Sequence, residues 1–177
     1  MIPDQSQWIA MHPSLYSTLK LVTSLLHPES YLEIGVCEGV SLTTVIQAGG
    51  KCLHSLTLCD NWDGEFGGTG KGNHKYIDDL ILGLDYQGRV KFVDGDSHKV
   101  LKPAIDKMQF DLILVDGDHS EAGATQDLYD VYPHLSYHGV LLFDDLYHAS
   151  HPELIGVIHK FVQEVPGFEL IAEMRDP

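Results

Sequence analysis

Phe110-Asp111-Leu112-Ile113-Leu114-Val115-Asp116-Gly117-Asp118-His119-Ser120 is the stretch on which the fold turns. Its first six residues are nearly all apolar, as expected of a strand covered on both faces. The run stops at Asp116-Gly117, and Ser120 can start a helix, which the spacing carries to about Leu135. A buried strand thus delivers three acidic or imidazole side chains into a turn, and a helix leads away.

Working outward, the same alternation repeats. Upstream, Tyr31 to Ile34 is a short buried strand running into Gly35; Ser41 can cap the next helix, with Leu42, Val45 and Ile46 facing inward. His54 to Cys59 is a second strand ending at Asp60, and Arg89 to Val93 a third, after which Ser97 caps a helix ending before Gln109. Downstream, Gly139 to Phe143 is a fifth strand. Ser150 and Glu153 form a capping-box pattern before a helix carrying Leu154, Val157, Ile158, Phe161 and Val162, and Phe168 to Ala172 reads as a last strand. Pro13 to Leu26 opens the chain as an amphipathic helix. The expected architecture is α/β, a doubly wound, mostly parallel sheet with a Rossmann-like order, in one domain over residues 1–177. Residues 1–28 form its helical cover. Residues 61–75 are a loop insertion whose glycine-rich part, 64–72, is expected to be either a mobile lid or a disordered insertion without a role; a helix from about 74 to 85 follows.

Composition narrows the partners. Eleven Lys and Arg stand against 26 Asp and Glu, a formal net charge of −15. Phosphate backbones and anionic membrane surfaces are repelled, so no nucleic acid and no membrane is expected as partner. Three cysteines, Cys37, Cys52 and Cys59, show no C-x-x-C spacing. That fits a reducing, cytoplasmic location, as does the lack of a signal-like N-terminus or of an apolar run long enough to span a membrane.

Doubly wound sheets bind ligands at the carboxyl ends of their strands. After the first strand, Gly35 and Gly39 permit a tight turn and close ligand approach, and the helix near Ser41 offers unpaired N–H groups to an anion. Glu33 would repel a phosphate but could accept a bond from an amino group. Asp60 is placed to accept both hydroxyls of a ribose. Asp96 and Ser97 could bind an adenine edge or merely cap a helix. Asp116, Asp144 and Asp145 end neighbouring strands about 4.8 Å apart, and such carboxylates suit Mg²⁺ or another hard divalent cation; the alternative is two unrelated capping clusters. His148 and His151 follow the Asp pair and could face an acceptor or lie on the surface. No histidine pair completes a transition-metal site at a recognisable spacing.

Together these residues resemble the class I S-adenosylmethionine-dependent methyltransferases over roughly residues 30–165. Tyr31 to Ser41 is similar to their first cofactor motif. Phe110 to Ser120, with Gly139 to Asp145, resembles the metal-dependent small-molecule O-methyltransferases, a group including the catechol and the macrolide and aminocoumarin sugar enzymes. The resemblance implies that Glu33, Gly35, Gly39 and Ser41 contact the methionine part of the cofactor. It implies Asp60 on the ribose, Asp96 and Ser97 beside the adenine, and Asp116, also lining the cofactor cleft, with Asp144 and Asp145 on Mg²⁺. Asp118 is the implied general base. The catechol branch has a lysine where His119 stands, so His119 is a second candidate, with an unperturbed pKa nearer neutrality. The family's sheet ends in an antiparallel strand pair, for which residues 167–177 are too few; a second copy, as a homodimer, could cover the shortened edge.

The function expected is Mg²⁺-dependent methylation of a small hydroxylated acceptor, a sugar or catechol-like molecule. The alternative is a non-catalytic domain of the same fold that binds S-adenosylmethionine or a nucleoside. A nicotinamide oxidoreductase is disfavoured by the missing G-x-G-x-x-G.

Overall fold

The computed structural model describes residues 14–63, 73–171 and 173. Trp8, the glycine-rich segment 64–72 with its expected lid role, and Ala172 lie outside the described residues. Helices are α1 (Leu15–Leu26), α2 (Val40–Gly49), α3 (His74–Gly83), α4 (Ser97–Ile105), α5 (Glu121–Val131) and α6 (Leu154–Glu164). Strands are β1 (Ser30–Ile34), β2 (Ser55–Asp60), β3 (Arg89–Asp94), β4 (Phe110–Val115) and β5 (Leu135–Phe143). They form one sheet in the order β3-β2-β1-β4-β5, every pair parallel.

Side-chain alternation splits the core into two layers. Tyr31, Leu56, Leu58, Leu112 and Leu114 pack with Leu19 of α1, Leu42 and Val45 of α2, and Ile77 and Ile81 of α3. Leu32, Ile34, Cys59, Ile113 and Val115 face the other way, onto Leu101 and Ile105 of α4, Leu128 of α5 and Phe161 of α6. The central strands β1, β2 and β4 are therefore buried on both faces along most of their length. Edge strand β3 alternates exposed and half-buried residues along most of its length.

Several boundaries differ from the sequence reading. Ser41 is not a cap: α2 starts at Val40, with Gly39 at its N-cap in the left-handed region, φ 73°. Ser97 is the first residue of α4, and Asp96 caps it by accepting from the His98 N–H. The Ser150–Glu153 capping box does not form, since Glu153 itself is the N-cap residue of α6 and makes no side-chain cap bond. Helix α5 stops at Val131, because Pro133 has no N–H to continue it and a 3-10 turn follows over Tyr132–His134. That lets β5 begin at Leu135. The expected sixth strand is absent from residues 168–171. Phe168 instead packs edge-on into an aromatic cluster, its ring centre 5.1 Å from Phe161 and 6.0 Å from Tyr132. None of the described helices is long and apolar enough to cross a membrane.

Candidate active site

Strand order reverses between β1 and β4, and the two chains leave the sheet there in opposite directions, opening a crevice. Register sets what lines it. Ile34 pairs with Val115, and Val115 with Phe143. The ladder runs one residue further, with the Asp116 N–H donating to the Ile34 carbonyl at 3.0 Å and the Asp144 N–H to that of Val115 at 3.0 Å. Gly35, Asp116 and Asp144 therefore form one row at the carboxyl edge. A Cβ on Gly35, φ +85°, would run into the Asp116 carbonyl, so this glycine is what lets the two strand ends meet so closely. The room a Cβ on Gly39 would need is taken by Leu80 and Ile77 of α3.

Behind the glycine turn lies a buried polar group. Glu33 is fully buried, and the Ser41 hydroxyl donates to its Oε1. Burial pushes its pKa up to about 8, against the opposing effect of the Ser41 bond. Its Oε2 has no hydrogen-bond partner. Asp60 braces the turn from the β2 side, Oδ2 accepting from the Cys37 N–H at 2.8 Å and Oδ1 from the Trp62 N–H at 2.7 Å. Each oxygen keeps a lone pair for a further donor. At the N-terminus of α2 no side chain caps the helix, whereas Ser14, Asn73, Asp96 and Ser120 cap α1, α3, α4 and α5. An orphaned carboxyl oxygen, an uncapped helix start and an oriented carboxylate fit an amino acid joined to a ribose.

Asp96 and Ser97, at the start of α4, are both engaged by neighbouring side chains. Asp96 pairs with Lys99 at 2.7 Å, which with the His98 N–H holds its carboxyl below the ordinary range. The Ser97 hydroxyl donates to Asp127 of α5 at 2.6 Å. Asp127 is almost fully buried, and burial raises its pKa.

At the acceptor end, Asp116, His119 and Asp145 converge, one donor atom of each lying within 4.8 Å of the others. His119 Nε2 is 3.5 Å from Asp116 Oδ1 and 3.3 Å from Asp145 Oδ2. Asp145 sits in the left-handed region, φ 57°, which acidic residues tolerate better than most. Burial raises the pKa of Asp116, while that carboxylate beside His119 raises the pKa of the imidazole. Asp144 is outside this group of three. Asp118 faces α5: its Oδ1 accepts from the Ser120 N–H at 2.8 Å, and its carboxyl group occupies the space a side chain on Gly123 would need.

Sequence reasoning missed two contributors, Tyr16 and Asp94, and left His151 open between the acceptor and the surface. Tyr16 of α1 has its phenol pKa raised by burial and then by Asp116 and Asp144. His151 sets its ring edge-on to His119, centres 5.3 Å apart. Asp94 accepts from the Trp62 indole at 2.8 Å and lies 2.9 Å from His74 Nδ1, tying together both flanks of segment 64–72. Neither Tyr16 nor Asp94 carried a local signal; each is brought in by packing across elements.

Comparison with solved structures gives many matches. The O-methyltransferase NovP aligns over 91% of this chain and 76% of its own, with TM-score 0.66 and 17% identity. An O-methyltransferase from Bacillus cereus, in complex with SAH, aligns over 94% of this chain and 82% of its own, with TM-score 0.64 and 15% identity. CalS11, a TDP-rhamnose 3'-O-methyltransferase of calicheamicin biosynthesis, covers 96% of this chain and 85% of its own, with TM-score 0.62 and 16% identity. At such identities the likeness is one of fold. No curated protein sequence matches the chain. Residues 32–146, which run from within β1 past the end of β5 and hold every strand end described above, match the family described as Methyltransferase domain, and the chain belongs to that family.

Proposed function

We propose that this protein is an S-adenosylmethionine-dependent O-methyltransferase acting on a small hydroxylated molecule, a sugar or a catechol-like ring, with the help of a divalent cation. The observation that carries the reading is the row Gly35, Asp116, Asp144 at the strand reversal, beside the uncapped start of α2. The cofactor, when bound, presents a methyl group on a cationic sulfur for in-line displacement by an acceptor oxygen. The first turn of α2 receives its carboxylate through free N–H groups. Glu33 Oε2 receives its amino group, and Asp60 its ribose hydroxyls. Gly35, Gly39 and Ser41 shape that pocket; Asp96 and Ser97 border the adenine through the α4 start they build. The excess of carboxylates favours a cationic cofactor over its neutral product.

Asp116 and Asp145, with Asp144 beside them, hold the cation, Mg²⁺ on the sequence reading. A divalent ion there lowers the pKa of a chelated acceptor hydroxyl. Of the two candidate bases, His119 faces the carboxylates and acts at the acceptor end, whereas Asp118 fixes the start of α5. The second reading, a binding domain without catalysis, draws on the five-stranded sheet, which has no strand after α6 among the described residues. Calorimetric titration with S-adenosylmethionine tests the first step: Asp60→Ala should weaken binding about 10-fold to 100-fold, the worth of one or two charge-assisted hydrogen bonds. Incubation of the loaded protein with polyols and catechols then separates the readings. Methylated product supports the enzyme; tight cofactor binding with no product from any acceptor supports the binding domain.

A further inference from the structure

Two carboxylates and an imidazole meet at the acceptor end at separations longer than those of ordinary hydrogen bonds. His119 Nε2 is buried from solvent and has no hydrogen-bond partner. Yet it faces Asp145 Oδ2 at 3.3 Å and Asp116 Oδ1 at 3.5 Å, at or beyond the long end of an N–H···O bond. Donor atoms bound to one first-row ion at bond lengths of about 2.1 Å stand about 3.0–3.4 Å apart when they are octahedral or tetrahedral neighbours. The two separations fall in or next to that range.

The donor set also has a chemical preference. Carboxylates alone suit Mg²⁺ and Ca²⁺, which favour all-oxygen, partly hydrated shells. One imidazole nitrogen in the set moves the preference to ions that bind nitrogen well, in the order of rising affinity from Mn²⁺ toward Zn²⁺. Backbone geometry holds the set in place: Asp116 and His119 flank the two residues Gly117 and Asp118 after β4, and Asp145 follows β5 in a left-handed conformation. His151 packs edge-on against the His119 ring, and His148 lies beyond it with ring centres 5.4 Å apart, so the His119 plane is restrained before any ion arrives.

We infer that the cation of this site is a first-row divalent transition ion, from Mn²⁺ to Zn²⁺, taken in preference to Mg²⁺, with His119 Nε2 as a ligand beside Asp116 and Asp145. This rests on the reading of the crevice as a methyltransferase site but makes His119 an ion ligand there and not the proton acceptor.

Co²⁺ is the probe, because its bound form has visible d–d absorption that reports nitrogen ligation and needs no turnover. Chelator-treated full chain is titrated with Co²⁺ by absorption, and with Mg²⁺ and S-adenosylmethionine by calorimetry. His119→Ala and His119→Gln are compared with the parent, as is His54→Gln, which alters an exposed histidine just before β2, at the opposite end of the sheet. Circular dichroism confirms that each is folded, the two replacements at position 119 guarding against misfolding of either. The expected result is Co²⁺ binding at least about tenfold tighter than Mg²⁺, lost in both His119 variants and kept in His54→Gln. Unchanged Co²⁺ spectra in folded His119 variants would overturn the assignment. So would Mg²⁺ binding equal to or tighter than Co²⁺ binding, which leaves a divalent-cation methyltransferase standing. Absence of both Co²⁺ and Mg²⁺ binding by protein that binds S-adenosylmethionine would overturn the cation site altogether, and failure to bind S-adenosylmethionine would overturn the methyltransferase reading itself.

Discussion

Glu33 shows at the scale of one residue what the crevice costs. In the unfolded chain it ionises near 4.5, and in the folded protein at about 8, because burial strips water from the carboxylate. Across that window the folded state holds the proton and the unfolded state does not. Stability therefore falls as pH rises from about 5 to 8, by at most about 1.4 kcal/mol per pH unit, and levels off above. Urea unfolding across this range should show the decline, and Glu33→Gln should remove it; a pH-independent parent would mean that Glu33 is ionised in the fold. The two glycines of the turn differ in the same local way. Gly35→Ala drives a Cβ into the Asp116 backbone carbonyl, at positive φ, and should cost about 2–4 kcal/mol. Gly39→Ala, also at positive φ, meets the ends of Leu80 and Ile77, at 2.7 and 2.9 Å, which can yield where a backbone carbonyl cannot. Chemical denaturation of the two variants should rank Gly35 well above Gly39.

Among the elements, β4 depends on a residue that looks out of place in an apolar strand. Asp111 accepts from the Glu29 N–H at 2.9 Å, the Ser30 N–H and hydroxyl at 3.1 Å, and the Ser136 hydroxyl at 2.6 Å. One carboxylate thus joins the entry of β1, β4 and the start of β5, across the bulge between Phe110 and Leu112. Burial alone would raise its pKa, but these donors together hold it below the ordinary value. Its contribution is present above the unfolded-state value near 3.8 and is lost as pH falls through the lower folded one. Asp111→Ala leaves several donors unanswered and should destabilise by about 2–4 kcal/mol, with a lower midpoint in urea and an unchanged slope.

For the whole molecule, the surplus of acidic groups and the open crevice make cofactor binding a global event. A ligand that binds only the folded state at about 100 times its dissociation constant adds about 2.7 kcal/mol. For a chain of this size that raises Tm by about 5–10 °C. Thermal unfolding with saturating S-adenosylmethionine should show a rise of that order, reduced in Asp60→Ala at the same concentration.

The sequence by itself determined the alternation of strands and helices, the parallel sheet and the residues at each strand end. Apolar runs such as Leu112 to Val115 must be buried on both faces, and a turn residue follows a strand by simple adjacency. It did not determine which of those residues share a site. Ser41 looked like a cap and lies inside α2, donating to Glu33; Asp96 and Ser97 were open between an adenine and the helix start, and they are engaged by Lys99 and Asp127. The last strand failed for a similar reason, Phe168 gaining more from an aromatic cluster than from an edge pairing. His151 and Tyr16 reach the crevice from segments 32 and 100 residues or more away in the chain. Only the tertiary structure could decide these, because hydrogen-bond partnership and ion-ligand geometry depend on through-space distances of about 3 Å, which local pattern does not encode.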